Sequence, residues 1–204
     1  MASGPIHVVD DDRAVCTSIV RLLRACGFDA IGHTSARDFL ALAQTAAGGC
    51  VILDYAMPHV TGPEVQRTLS ASGGNWQVVF LSGEVDVPES VDVMKSGAVD
   101  LLIKPADRDR LVTAVKTAIE RLRAVGEELA ARDDVLAKVA TLTPREREVM
   151  THVIAGRLNK QIAGALGTSE RTIKHHRSAI MRKMGVRSVA DLVRLTERAA
   201  IAPV

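Results

Sequence analysis

The sequence predicts an α/β doubly wound domain built on a five-stranded parallel sheet, followed by a small all-α unit of four helices carrying a helix-turn-helix. Three observations lead there. Over roughly the first 120 residues, short apolar runs alternate with longer amphipathic stretches, the pattern of a parallel sheet covered by helices. A strong helix start at Thr143-Pro144-Arg145-Glu146 then opens a region with no strand candidate. The charge divides in the same place. Residues 1–123 carry 12 Lys/Arg against 15 Asp/Glu, residues 124–140 carry 2 against 4, and residues 141–204 carry 12 against 5, so a net −3 and −2 precede a net +7. A basic C-terminal third on an acidic remainder points to a polyanion-binding module joined to something else.

In order, the strand candidates are Ile6–Val9, Phe28–Ile31, Cys50–Leu53, Val78–Leu81 and Leu101–Ile103. Helices are expected near 12–26, 35–46, 63–72, 87–96 and from 107 onward. Asp86 as N-cap, Pro88 in the first turn and Glu89 as capping-box acid support the fourth helix. The fifth does not obviously stop. Leu111, Val115, Ala118, Leu122, Val125 and Leu129 alternate spacings of four and three, and after Arg132 breaks the seam, Leu136 and Val139 resume it. The first half of this stripe packs on the sheet. Beyond Leu122 it needs another surface, either the same helix of a second chain or the C-terminal unit, and Gly126 is a place where it could bend. The expected domains are therefore 1–121, a helical linker 122–140, and 141–204. Within the last, helices near 144–155, 159–166, 169–184 and 188–200 follow, and the short turn Leu166-Gly167-Thr168-Ser169 has helix-turn-helix spacing.

Several function classes are disfavoured. No apolar run approaches the roughly 20 residues that span a bilayer, and the N-terminus lacks a basic segment leading into an apolar one, so a cytoplasmic protein with no membrane association is expected. Cys16, Cys26 and Cys50 have no CxxC spacing and suit reduced thiols serving as small core residues. Five aromatics in the whole chain are too few for platforms that stack single-stranded nucleic acid.

The chemistry lies at strand ends. Asp10 and Asp11 follow the first strand and Asp54 ends the third; in the order 2-1-3-4-5 these strands are neighbours, so three carboxylates meet at the topological switch point. They repel one another unless a cation is bound or one is protonated. Oxygen-only ligands with places left for water and phosphate suit Mg²⁺ (or Mn²⁺), with Asp10 or Asp11 acting largely through water and Asp54 and the Ala56 backbone carbonyl binding directly. Ser82 and Lys104, at the ends of the fourth and fifth strands, would supply counter-charge and a hydroxyl to a phosphoryl group held on a carboxylate.

The runs Val8-Val9-Asp10-Asp11-Asp12, Leu53-Asp54-Tyr55-Ala56-Met57-Pro58 with Gly62, Leu81-Ser82-Gly83, and Lys95-Ser96-Gly97-Ala98 before Lys104-Pro105 resemble the receiver domain of bacterial two-component response regulators over residues 5–121. The resemblance implies that Asp54 takes a phosphoryl group from a sensor histidine kinase in a Mg²⁺-dependent step, and that the Lys104-Pro105 bond is cis. One residue departs from the family. Leu101 stands where receivers usually carry the Tyr or Phe whose rotamer reports phosphorylation, so the signal is expected to travel through Ser82, the following loop and helix 87–96.

Leu142-Thr-Pro-Arg-Glu-Arg-Glu-Val149, Asn159-Lys160-Gln161-Ile162-Ala163, Thr172-Ile173-Lys174-His175-His176-Arg177 and Lys183-Met184-Gly185-Val186 resemble the LuxR-type helix-turn-helix of NarL/FixJ-class regulators over residues 141–200. Double-stranded DNA is the implied partner. On the helix 169–184, Ile173, Ile180 and Met184 share the apolar side, while Arg171, Lys174, His175 and Ser178 fall on or beside the opposite face. Lys174, His175 and Ser178 are the base-contact candidates; the Thr172 hydroxyl, His176, Arg177, Lys160 and Lys183 are candidates for phosphate. His175 and His176 point about 100° apart and do not chelate a metal together. Val189, Leu192, Val193 and Thr196 give the last helix a stripe that suits either bundle core or a dimer contact. A homodimer on activation, formed through the face around helices 87–96 and 107–121, is expected, with RNA polymerase a further candidate partner.

Two other readings compete. An Asp-nucleophile phosphohydrolase would want a second carboxylate two residues after Asp54, where this chain has Ala56. A receiver that only docks a partner and is never phosphorylated remains open, given Leu101.

Overall fold

A computed structural model describes residues 4–83 and 87–204, with only the backbone described for 87–90. Alternating strands and helices run β1 (Ile6–Val9), α1 (Arg13–Ala25), β2 (Ala30–His33), α2 (Ala36–Ala43), β3 (Gly48–Asp54), α3 (Gly62–Ala71), β4 (Asn75–Ser82), α4 (Val87–Lys95), β5 (Asp100–Ile103) and α5 (Arg108–Ala140). All strand pairs are parallel, in the order β2-β1-β3-β4-β5. Alternation along the strands divides the core in two. Cys50, Ile52, Val79, Leu81 and Leu102 face α1 and the first turns of α5, whereas Val51, Leu53, Val78 and Phe80 face the side of Phe39, Val65 and Val93. All three cysteines are free, and burial pushes the Cys50 thiol up to about 12, which makes it an inert core residue.

The second strand lies two residues later than its apolar pattern suggests. Phe28 is spent closing α1: its amide reaches the Leu23 carbonyl, and Gly27 turns with φ +85°. Pairing with β1 then runs from Ala30 to His33. Gly32 is required there because a Cβ would stand 2.7 Å from the Cys16 sulfur of α1. The N-cap expected at Asp86, with Pro88 and Glu89, lies outside the described residues and side chains.

The chain divides into two compact units, Met1–Val125 and Gly126–Val204, with the division inside α5. The segment 122–140, expected as a helical linker continuing the fifth helix, is helical throughout. Leu122 packs on the core of the first unit, whereas Val135 and Val139 are buried with Leu142, Val149, Val153 and Ile180 in the core of the second unit. Leu136, expected on the seam, is 42 % exposed, while Val135 is 1 % exposed. Val135 and Val139 share the side of the helix that is buried in the second core, and Leu136 lies about 80° off that side.

The second unit comprises α6 (Pro144–Ile154), α7 (Asn159–Ala165), α8 (Glu170–Met184) and α9 (Val189–Arg198) after the last turns of α5. The expected capping box forms at α6, where Thr143 and Glu146 exchange side chain-to-backbone bonds. Ser169 caps α8 by accepting from the Thr172 amide, and Gly185 ends it in the left-handed conformation at φ 70°. On α9, Leu192 and Thr196 are buried, so its stripe is mainly core.

Candidate functional site

The parallel order carries the C-terminal ends of β1, β3 and β5 to one rim, and their side chains converge there. Asp10 hangs from β2 through its amide, which donates to the His33 carbonyl at 3.1 Å, while its Oδ1 accepts the Asp12 amide at 2.9 Å. The Lys104 Nζ donates to Asp10 Oδ2 and to Asp54 Oδ1, both at 2.7 Å. Asp10, Asp11 and Asp54 each offer an oxygen within 4.8 Å of the others, with Asp10 and Asp54 buried and Asp11 exposed. One ammonium thus serves a surplus of carboxylates in a partly desolvated crevice. Such a donor set fits a divalent, oxygen-coordinated cation such as Mg²⁺.

Electrostatics follow from that imbalance. Burial raises the Asp54 carboxyl above its ordinary range, and Asp10 and Asp11 add to the rise; hydrogen bonding and charge from Lys104 oppose it without cancelling it. For Lys104 itself, burial pulls the ammonium down, but its bonds to Asp10 and Asp54 outweigh this and hold it above the usual lysine value. The two partners differ because the lysine is over-supplied with anions and Asp54 is under-supplied with cations.

Ser82 is buried at the end of β4, and its carbonyl accepts the Lys104 amide at 2.7 Å, which ties β5 to the same rim. The Lys104-Pro105 bond is cis, as the resemblance implies. Ala56 lies in the exposed loop after β3, beside the site in sequence. Leu101 is half-buried against the Phe80 cluster and sits outside the carboxylate group. Gly62 is a site residue of another kind. A Cβ there would come within 2.5 Å of the Asp54 carbonyl and 2.8 Å of the Phe80 ring, so only glycine lets α3 start against the end of β3.

In the second unit, α7, the turn with Gly167 at φ 61°, and α8 form the helix-turn-helix. Ile173, Ile180 and Met184 are buried, which leaves Arg171, Lys174, His175 and Ser178 exposed, together with Lys160 on α7 and Thr172 at the start of α8. Three expected phosphate contacts have other partners. Arg177, half-buried, donates to Asn159 Oδ1 at 2.9 Å; the Thr172 hydroxyl shares a 2.9 Å bond with the Ser169 hydroxyl; and Lys183, half-buried, pairs with Glu146. His176 is also half-buried. The rings of His175 and His176 stand 6.2 Å apart. Arg182 is a candidate missing from the sequence-based set: it is exposed, and with Arg171, His175 and Ser178 it completes a helical stripe at spacings of four, three and four.

Comparison with known proteins agrees with both halves. Residues 6–116 match the family model described as the response regulator receiver domain, and residues 140–196 match that of bacterial regulatory proteins of the luxR family. The chain belongs to the response-regulator family, with a LuxR-type DNA-binding domain. Curated relatives include the transcriptional regulatory protein FixJ of Azorhizobium caulinodans, 39 % identical over 98 % of this chain and 95 % of that protein. The tetrathionate response regulatory protein TtrR of Salmonella typhimurium is 40 % identical over 96 % of this chain and 93 % of that one. Among solved structures, the response regulator StyR covers 97 % of this chain and 100 % of its own at 36 % identity with a TM-score of 0.82. Full-length FixJ from B. japonicum covers 98 % and 99 % at 38 % identity with a TM-score of 0.60.

This response regulator is therefore a transcription regulator whose action on transcription depends on phosphorylation, and not a conventional enzyme. Among the described residues, no helix is long and apolar enough to cross a membrane.

Proposed function

We propose that Asp54 is the phosphoacceptor and that a sensor histidine kinase is its donor. The observation that carries this is the single Lys104 ammonium bonded at 2.7 Å to both Asp10 and Asp54 with Asp11 alongside. An Asp54 oxygen attacks the phosphorus of the phosphohistidine, the phosphorus–nitrogen bond breaks, and the electron pair stays with the imidazole. Lys104 and the Ser82 hydroxyl hold the oxygens of the transferred group. Asp10, Asp11, Asp54 and the Ala56 carbonyl would hold Mg²⁺ (or Mn²⁺), which supplies charge neutralisation on the phosphoryl oxygens.

The phosphorylated receiver dimerises through the face of α4, β5 and the start of α5. Val91, Met94 and Ile103 are exposed there, at 43 %, 45 % and 59 %, an apolar surface that a second copy would cover. Two α8 helices then reach half-sites about one helical turn apart. Lys174, His175 and Ser178 read bases, with Arg171 and Arg182 on the same stripe, while Lys160 and His176 approach phosphate. The cytoplasm is the compartment in which DNA, kinase and RNA polymerase are all within reach.

Acetyl phosphate with Mg²⁺ tests the reading. Intact-mass analysis is expected to show one added phosphoryl group in the wild type and none in Asp54→Asn. Equal labelling of the two proteins, or none of the wild type, would overturn it. The same experiment followed by sedimentation tests dimerisation, since Ile103→Glu should accept the phosphoryl group yet remain monomeric.

A further inference from the structure

The last carbonyls of a helix have no donor within the helix. At the end of α5 two cations from the DNA-binding domain serve this region: Arg147 Nη2 donates to the Val139 carbonyl at 3.3 Å, and Lys183 Nζ to the Thr141 carbonyl at 3.2 Å. The same Lys183 ammonium donates to Glu146 Oε2 at 2.5 Å. Glu146 is itself fixed, because its carboxylate accepts the Thr143 amide in the α6 capping box. Its side chain is 8 % exposed and that of Lys183 28 %. The hydrogen bond from Lys183, then that from the Thr143 backbone, hold the Glu146 carboxyl below the usual carboxylate range.

Lys183 lies in the last turn of α8, one residue before Met184, which is buried in the domain core. Its ammonium therefore joins three elements at one point: the end of the recognition helix, the start of α6, and the exit of α5. Its direction on the helix confirms the separation. Lys183 lies about 70° from the buried Ile173 and Ile180 side and about 110° from the middle of the Arg171–Arg182 stripe, counting 100° per residue.

We propose that Lys183 is a positioning residue for DNA recognition, which locks the recognition helix to the end of α5 through Glu146 and the Thr141 carbonyl, and that it makes no phosphate contact. The proposal rests on the reading that α8 enters the major groove. With Lys183 removed, α8 loses its fixed angle to α6 and α5, and the base-reading side chains lose their common register while the count of cations facing DNA stays the same.

The test uses the full chain and two duplexes, one selected from a randomised library by the wild-type protein and one scrambled. Affinities are measured against salt for Lys183→Met, Lys183→Arg, Glu146→Gln, Lys174→Ala and His175→Ala. The pair is neither fully buried nor open to solvent, so Lys183→Met should weaken binding to the selected duplex about tenfold. The salt slope and the scrambled-duplex affinity should be unchanged. Lys183→Arg should restore most of the loss, Glu146→Gln should reproduce it, and the double variant Lys183→Met/Glu146→Gln should be no worse than either single change. Glu146→Gln keeps the proposal testable even if Lys183→Met fails to fold.

A slope reduced by about 0.9 in Lys183→Met, with Glu146→Gln binding like the wild type, would make Lys183 a phosphate contact and overturn the proposal while leaving α8 as the reader. Selected-duplex binding unchanged in both Lys174→Ala and His175→Ala would instead remove α8 from the groove, and the proposal with it.

Discussion

Two lysine–carboxylate pairs, one in each unit, use the same chemistry at similar distances and end in opposite states. Lys104 faces Asp10, Asp54 and the nearby Asp11, and the Asp54 carboxyl is pushed up. Lys183 faces Glu146 alone, and the Glu146 carboxyl is held down. The difference is stoichiometric. A closed one-to-one pair with backbone support stabilises structure, whereas one ammonium among several buried carboxylates leaves negative charge that only a further cation or a proton can balance. An ion pair seen in isolation would not separate a brace from a reactive site; the count of surrounding charges does.

Removing the scarce cation should have the largest effect. Lys104→Met leaves Asp10 and Asp54 buried without their counter-ion and should lower receiver stability by about 3 kcal/mol without Mg²⁺. Urea unfolding followed by Trp76, the sole tryptophan, reads this directly. Millimolar Mg²⁺ should recover part of the loss, and a variant as stable as wild type in metal-free buffer would mean that the carboxylates are not charged together.

Gly62→Ala should cost about 2 kcal/mol, because the added methyl meets the Asp54 carbonyl and the Phe80 ring. Its phosphorylation rate should fall as well, since the start of α3 and the end of β3 cannot both keep their places. A melting curve unchanged from the wild type would contradict the contact.

Asp54→Asn should act in the other direction and stabilise the receiver at neutral pH, since it removes a carboxylate whose ionised form is disfavoured by burial and by the Asp10 and Asp11 charges. The sign follows from the raised pKa. An acid whose folded-state pKa exceeds its unfolded value binds protons more readily when folded, so its ionised form costs stability. The gain from Asn is thus present above the folded pKa of Asp54 and shrinks as the pH falls through it.

The Glu146 pair gives the smallest and opposite pH effect. Its folded pKa lies below the ordinary 4.5, so its contribution is fully present above 4.5 and is lost as the pH falls through the lower folded value. Hydrogen exchange at the α6 and α8 amides, followed down the acid range, should show protection falling in the wild type below that point, and no such fall in Glu146→Gln. Parallel curves for the two proteins would remove the pair from the stability of the domain.

Much of this was legible in the order of residues because the chemistry sits at strand ends. Asp10, Asp54, Ser82 and Lys104 each close an apolar run, and a parallel sheet sends such ends to one rim whatever the details of packing. The second strand was less readable because Gly32 and His33 do not look like strand residues: Gly32 is chosen for its contact with Cys16, a neighbour 16 positions away. Pairing across long separations was not readable at all. Thr143 and Glu146 announce a capping box by their spacing, but nothing local to Lys183 shows that its ammonium is taken up by a residue 37 positions earlier. Arg182 shows the converse. Its periodicity with Arg171, His175 and Ser178 is plain, yet a cation in the last turn of a helix also suits the helix dipole, and only its exposure on the open face separates the two roles.

Trapping the acylphosphate shows whether the crowded carboxylates make Asp54 the phosphoacceptor. The wild-type chain is phosphorylated with acetyl phosphate and Mg²⁺, reduced with borohydride, digested with trypsin and sequenced by mass spectrometry. The assignment of Asp54 requires that, in the peptide spanning 38–67, Asp54 alone is converted to homoserine and Asp38 is untouched. Conversion at another aspartate, or none in a protein that has gained the phosphoryl mass, would contradict it.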